Sequence, residues 1–258
     1  MDISLVGKKA LVCGSSQGIG KASAIELAKL GASVTLLARN EASLKEVVAE
    51  LDSSQGQTHA YLVADFSDND AVKQKIATHK EFHILVNNTG GPPGGLAVKA
   101  DLDEFTTAFN NHLLNSHILV QALTSFMKTE AYGRVINIIS TSVKIPIKGL
   151  GVSNTIRGAV ANWSKTLANE LGEFGITVNN VLPGATNTAR LTAIIANKAD
   201  KSGKSIEDIE MELKAEIPAR RFASAAEVAA AVAFLATPAA GYINGINVPV
   251  DGGRTGSL

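Results

Sequence analysis

Ala10-Leu11-Val12-Cys13-Gly14-Ser15-Ser16-Gln17-Gly18-Ile19-Gly20 is an apolar run that breaks into a glycine-spaced turn and then into a helix. It reads as strand, phosphate-binding loop, helix. Gly14, Gly18 and Gly20 permit backbone dihedrals and close approaches that a Cβ would block. The chain can therefore turn sharply and bring a helix N-terminus, with its free N–H groups and positive dipole end, up to a phosphate. The spacing is Gly-x-x-x-Gly-x-Gly, not the general Gly-x-Gly-x-x-Gly, so taken alone the stretch is equally a tight strand-to-helix turn.

Beyond the turn, Ile19, Ala22, Ile25 and Ala28 recur at helical spacing and Gly31 supplies a C-cap. Apolar runs at Val34 to Ala38, Ala60 to Ala64 and Phe82 to Val86 read as strands, with helices at 41–52 and 68–79 between them. Continuous apolar strands alternating with helices predict a parallel sheet covered on both faces, doubly wound by right-handed crossovers. The glycine- and proline-rich 90–95 is loop, at a strand end where such sheets bind ligands. A long helix is expected over 101–130, a strand from Arg134 to Ile139 opening into Ser140, and a helix at 152–173. Ile176 to Val181 is a strand leading to Pro183-Gly184. The polar 188–217 is helical in pattern with a break at Ser202-Gly203, which suits a lid over a substrate. Ala226 to Ala236 and Ile246 to Val250 supply the last helix and strand.

The 258 residues are 45% hydrophobic, enough for one sizeable core, and a single α/β domain is expected over 1–258. The 24 basic and 24 acidic residues are scattered and balance to zero net charge, so nothing marks a nucleic-acid or anionic-membrane surface. Small molecules are the expected ligands. Cys13 is the single cysteine; it excludes an internal disulfide and reads as core packing in a reducing compartment. With no signal-peptide h-region and no apolar run of membrane length, a cytoplasmic protein is expected. No metal site is read from the sequence.

Gly14-x-x-x-Gly18-Ile19-Gly20, Asp65, Asn87-Asn88-Thr89-Gly90, Ser140, Pro183-Gly184 and the Asp251-Gly252-Gly253 tail together resemble the classical short-chain dehydrogenase/reductase family, in order and over essentially the whole chain. The resemblance is to the branch containing the β-ketoacyl-carrier-protein reductases. It implies a Rossmann fold, a bound NAD(P)(H), a carbonyl or alcohol substrate and a homotetramer. It also implies a cofactor site of the glycine turn with Ser15 and Ser16, Asp65 and Phe66 near the adenine, Asn88 and Gly90 near the adenosine ribose, Pro183 and Gly184, and Thr188 at the nicotinamide carboxamide. Asp65 and Thr188 have an alternative reading as caps of the helices that follow them.

At the end of the second strand an NAD binder wants a carboxylate for the ribose 2′-OH, whereas an NADP binder wants a cation for the 2′-phosphate. Here the residues are Ala38-Arg39-Asn40, and Ser15 could add a hydroxyl. The planar guanidinium of Arg39 suits a phosphate, so NADP(H) is expected over NAD(H).

The family's Asn, Ser, Tyr, Lys tetrad is broken. Thirteen residues beyond Ser140 stands Ser153 and four further Arg157, so Tyr-x-x-x-Lys becomes Ser153-x-x-x-Arg157, and the Asn position falls on His112. A phenol's pKa near 10 can be lowered toward working pH by a neighbouring cation; an alcohol is far less acidic. Two functions follow. In one, a reductase uses Ser140 and Ser153 to hold the carbonyl oxygen and Arg157 to hold the nicotinamide ribose hydroxyls and stabilise the alkoxide, with His112, or a water relayed to it, as proton source. In the other, an NADP(H)-binding sensor or assembly protein has lost the chemistry.

Overall fold

Strand β1 (Lys9–Cys13) shows why these runs are continuously apolar. Side chains alternate across a strand, and Ala10 and Val12 enter one hydrophobic layer while Leu11 and Cys13 enter the other. Both faces of the sheet are covered, so neither set is polar. The same alternation recurs in β2 (Ser33–Ala38), where Leu36 and Leu37 part to opposite layers, and in the fourth strand at Leu85 and Val86.

The computed structural model describes residues 1–257. α1 (Gly18–Lys29) follows β1; α2 (Glu41–Glu50), β3 (Ala60–Val63), α3 (Asn69–Ala77) and β4 (Ile84–Asn87) complete the first half. Then come α4 (Leu102–Phe109), α5 (Asn115–Thr129), β5 (Gly133–Ile138), α6 (Gly151–Leu171) and β6 (Ile176–Pro183). α7 (Ala189–Ser202), α8 (Ile206–Ala215), α9 (Ala225–Ala236) and β7 (Asn247–Val250) close the chain. All neighbours pair in parallel in the order β3-β2-β1-β4-β5-β6-β7, a doubly wound Rossmann sheet in one domain. α1, α2 and α9 contribute to one core layer, α3, α5 and α6 to the other. The order reverses between β1 and β4, so the crevice of the sheet opens at their C-terminal ends.

The expected helix over 101–130 is not regular. α4 and α5 are joined by a π turn at Asn110–Leu114, in which the Asn115 N–H reaches the Asn110 carbonyl, five residues back. Asn69 steadies this turn, its Nδ2 donating to Asn110 O at 3.4 Å and to Asn115 Oδ1 at 2.7 Å. Across the other half of the sheet runs a ladder of amides. Asn87 Nδ2 donates to Asn137 Oδ1, Asn137 Nδ2 to Asn180 Oδ1 and Asn180 Nδ2 to Asn247 Oδ1, at 2.8, 3.1 and 2.8 Å. α7 and α8 leave the sheet and share a small core of Leu191, Ile195, Ile209, Ile217 and Phe222. They meet at Gly203, whose φ of +69° is the expected break.

Candidate active site

The glycine turn is folded as tightly as its sequence demands. Gly14 and Gly18 both have φ of +57°, and a Cβ on Gly20 would lie 2.2 Å from the Gly14 carbonyl oxygen. The turn presents α1 with no side-chain cap and no acidic residue in its first turn, which leaves its N–H groups and positive end to an anion. Ser16 is half-buried in the turn, and Ile19 packs against the core. The expected role of Ser15 is corrected. Its side chain is fully buried, and its Oγ accepts the Leu37 N–H at 3.1 Å, strapping the turn to β2 rather than facing the crevice.

Asn88 is corrected in the same sense. Its Nδ2 donates to the carbonyls of Cys13 at 3.3 Å and Gly14 at 3.2 Å, so the side chain joins β4 to the glycine turn. A Cβ on Gly90 would meet nothing of the protein. Asp65 is not a helix cap; Asp68 takes that position, accepting from the Ala71 N–H. Asp65 instead accepts from Ser67 N–H at 2.9 Å and stands 3.7 Å from Arg39, which links the ends of β3 and β2. Partial burial works against its charge, but the Ser67 bonds and the Arg39 guanidinium outweigh it and hold the carboxyl below its ordinary value. Arg39 itself is exposed. Asn40 caps α2 by accepting from Ser43 N–H, and Phe66 packs on the core while its carbonyl accepts from Asn115 Nδ2 at 2.6 Å.

Pro183 ends β6 beside Val250, and a Cβ on Gly184 would be 2.7 Å from the Asp251 backbone, so the C-terminal tail closes over this turn. Thr188 stands before α7, yet its Oγ1 makes no cap; it donates to Thr186 O. A Cβ on Gly18 would be 3.4 Å from Thr188 Cγ2, so the phosphate turn and the start of the lid face each other. The glycine turn and Thr188 thus face each other across the crevice, while Ser15 and Asn88 brace the turn from behind. A dinucleotide fits the crevice by the compact glycine turn, the uncapped α1 terminus and the facing Thr188.

At the other end of the crevice the broken tetrad assembles. Ser140 follows β5, half-buried, with its Oγ accepting from the Ser142 N–H at 3.1 Å. Ser153 and Arg157 lie one turn apart on the same face of α6, both buried. Arg157 donates to the Ile138 carbonyl at 2.9 Å, and its guanidinium, lowered to about 10 by desolvation and by Arg190, is still a cation at neutral pH. The π turn aims His112 inward, where its Nδ1 shares a hydrogen bond with Thr89 Oγ1. His112 is buried, and desolvation, then Arg157 and Arg190, push its pKa down to about 2. The expectation of a histidine acid titrating in the working range is therefore corrected: the imidazole is neutral.

Two groups at this end are not singled out by sequence reasoning. Ser142 Oγ is buried without a partner. Arg190, in the first turn of α7, reaches across the crevice to donate to the carbonyls of Gly91 at 2.9 Å and Pro92 at 2.7 Å. Its signal is a cation placed where the helix dipole disfavours one. Among the described residues there is no cluster of metal-ligating side chains, and no helix is long and apolar enough to cross a membrane.

A family model described as Enoyl-(Acyl carrier protein) reductase matches residues 14–255. The 3-oxoacyl-[acyl-carrier-protein] reductase FabG of Pseudomonas aeruginosa is 34% identical over 256 residues, covering 97% of this chain and 98% of its own. The NADPH-dependent reductase BacG of Bacillus subtilis is 30% identical, covering 97% and 99%. L-Sorbose reductase from Gluconobacter frateurii, solved with NADPH and L-sorbose, superposes over the whole of both chains with a TM-score of 0.92 at 28% identity. The sequence motifs, the sheet order and these matches agree, and the chain belongs to the classical short-chain dehydrogenase/reductase family of oxidoreductases, in its β-ketoacyl-carrier-protein-reductase-like branch.

Proposed function

We propose that the protein is an NADP(H)-dependent reductase of a carbonyl compound, acting without a phenolic acid. The observation that carries this reading is the buried cation at Arg157, held against Ile138 O in the same crevice as Ser140, Ser153 and the glycine turn. The glycine turn and the α1 N-terminus would hold the diphosphate, Thr188 the nicotinamide carboxamide, Asp65 the adenine and Arg39 the 2′-phosphate. When bound, the dihydronicotinamide supplies the hydride. Arg157 supplies fixed positive potential where negative charge develops on the substrate oxygen, and Ser140 and Ser153 offer hydroxyl donors to the same atom. Preorganised charge in a water-poor site stabilises such an oxyanion strongly. His112 is neutral, so it orients rather than protonates, and the proton comes from solvent. NADPH use by BacG and the NADPH complex of L-sorbose reductase support the cofactor assignment.

The test is fluorescence titration with NADPH and NADH, followed by turnover on β-ketoacyl thioesters, diketones, quinones and keto sugars. Oxidation of NADPH by any of these establishes the reductase. Tight binding with no turnover across the panel favours the sensor reading instead. Arg39→Asp is expected to weaken NADPH by about tenfold or more while sparing NADH, because it replaces a phosphate-pairing cation by a carboxylate. Equal affinities for the two cofactors in the unmodified protein would contradict the assignment.

A further inference from the structure

Arg157 and Arg190 approach one crevice from α6 and α7, and the Arg190 charge is felt at Arg157. Among the described residues no carboxylate acts on Arg157 or on the neighbouring His112; both respond only to burial and to cations. The contacts of Arg190 are uncharged, the carbonyls of Gly91 and Pro92, and those of Arg157 reduce to the Ile138 carbonyl. Arg190 also stands in the first turn of α7, whose dipole opposes a cation there. Among the described residues the hydrogen bonds of both guanidinium groups go to backbone carbonyls and none goes to a carboxylate, so an anion between them would meet two cations.

We propose that Arg190 is a specificity residue for an anionic substrate, an oxo acid whose carboxylate it holds while the carbonyl oxygen faces Arg157. This rests on the reductase reading and names its substrate class. Arg190 has N–H donors beyond the two that hold Gly91 and Pro92, and a charge-assisted bond from these suits a carboxylate. Its anchoring to Gly91 and Pro92 fixes the guanidinium across the crevice before substrate arrives, so little ordering cost remains. One cation then serves the oxyanion formed in the reaction and the other serves the charge the substrate already carries. Arg157 could not do both.

The experiment measures binding of 2-oxobutanoate, acetoacetate and their methyl esters to the NADP⁺-saturated protein by calorimetry, where no hydride is available. At least one acid is expected to bind about tenfold or more tightly than its ester. Arg190→Gln is expected to abolish that preference and leave NADP⁺ affinity within about twofold, since a charged hydrogen bond is lost from the substrate alone. Arg190→Lys, which keeps the charge, retains part of it. Equal binding of every acid and ester, or a preference that survives Arg190→Gln, overturns the proposal. So does a large loss of NADP⁺ affinity in Arg190→Gln, which would assign the guanidinium to the cofactor diphosphate. Should Arg190→Gln fail to fold, Arg190→Lys and the acid–ester comparison in the unmodified protein decide. A protein that binds the acid but never reduces it with NADPH keeps this inference and loses the reductase reading.

Discussion

His112 differs from a family asparagine in more than shape, because a histidine that is buried neutral is coupled to pH. Burial comes first and the two arginines second in moving its pKa from 6.5 to about 2. Between those values the unfolded chain binds a proton that the native ring refuses, so stability is intact above about pH 6.5 and falls as the pH drops below it. The fall continues until the native ring itself protonates. Its slope for this one group approaches about 1.4 kcal/mol per pH unit. Urea unfolding of the protein and of His112→Asn at pH 7 and pH 5 is expected to show the unmodified chain losing about 2 kcal/mol more than the variant over that interval. Parallel losses would mean that the native ring takes up its proton as readily as the unfolded one. The same neutrality predicts that, if turnover is found, His112→Ala leaves the shape of its pH profile unchanged between pH 6 and 9, roughly the interval that an ordinary histidine would begin to span. A flattened profile would restore the histidine as acid. Thr89, within the Asn87-Asn88-Thr89-Gly90 stretch, is the residue that holds this imidazole.

Single elements show what the sequence discloses and what it hides. β1, α1 and Gly31 were legible because a buried parallel strand and a capped amphipathic helix leave periodic signals, and each lies within two residues of its expected bounds. The π turn left none: one extra residue rotates the apolar phase by about 100°, but α4 before it is only 8 residues long, too short a stretch for the change of phase to be read. Ser15 and Asn88 were legible as parts of the glycine turn but not in direction, since their bonds to Leu37 N–H and to the Cys13 and Gly14 carbonyls join strands far apart in sequence. Arg190 was hidden for the same reason. The amide ladder is also nonlocal: four asparagines in four strands look like isolated polar residues until the register aligns Asn87 with Asn137, Asn137 with Asn180 and Asn180 with Asn247. A slip of one residue would turn any of them to the other layer, so the ladder specifies register as well as contributing energy. Asn137 sits at its centre, bonded also to Ser164 Oγ at 2.9 Å. Asn137→Leu keeps the branched outline of the side chain but leaves Asn87 Nδ2 and Asn180 Oδ1 buried without partners. A loss of about 3 kcal/mol in chemical unfolding is expected. A loss below about 1 kcal/mol would show that water enters the ladder and replaces the amide.

The whole molecule presents apolar side chains that its own core does not use. Val98 and Leu102, just before and at the start of α4, are 90% and 84% exposed, and Phe109 at the end of the same helix is 39% exposed. Ile145, on the loop after β5, and Leu96 add to the exposed apolar surface. Isolated exposed leucines need no explanation, but several apolar residues on and just before a single helix argue for a surface that is covered in solution. The substrate crevice borders this region, since Ala108 on α4 packs against Val152 and Ile156 on either side of Ser153. We therefore propose that a second copy of the chain covers the α4 surface, within a homotetramer, and that association helps to fix the broken tetrad. Sedimentation velocity is expected to give a mass several times the 26.8 kDa of one chain. Leu102→Glu places a charge on a side chain that packs little within its own chain, so the circular dichroism spectrum should be preserved while the assembly shifts to smaller species. Burying an unpaired carboxylate at such a contact costs several kcal/mol, roughly enough to displace an assembly equilibrium by two or more orders of magnitude. A monomeric unmodified protein would refute the assembly outright. A tetramer that tolerates Leu102→Glu would move its contacts away from α4, and with them any support that a neighbouring copy lends to Ser153 and Arg157.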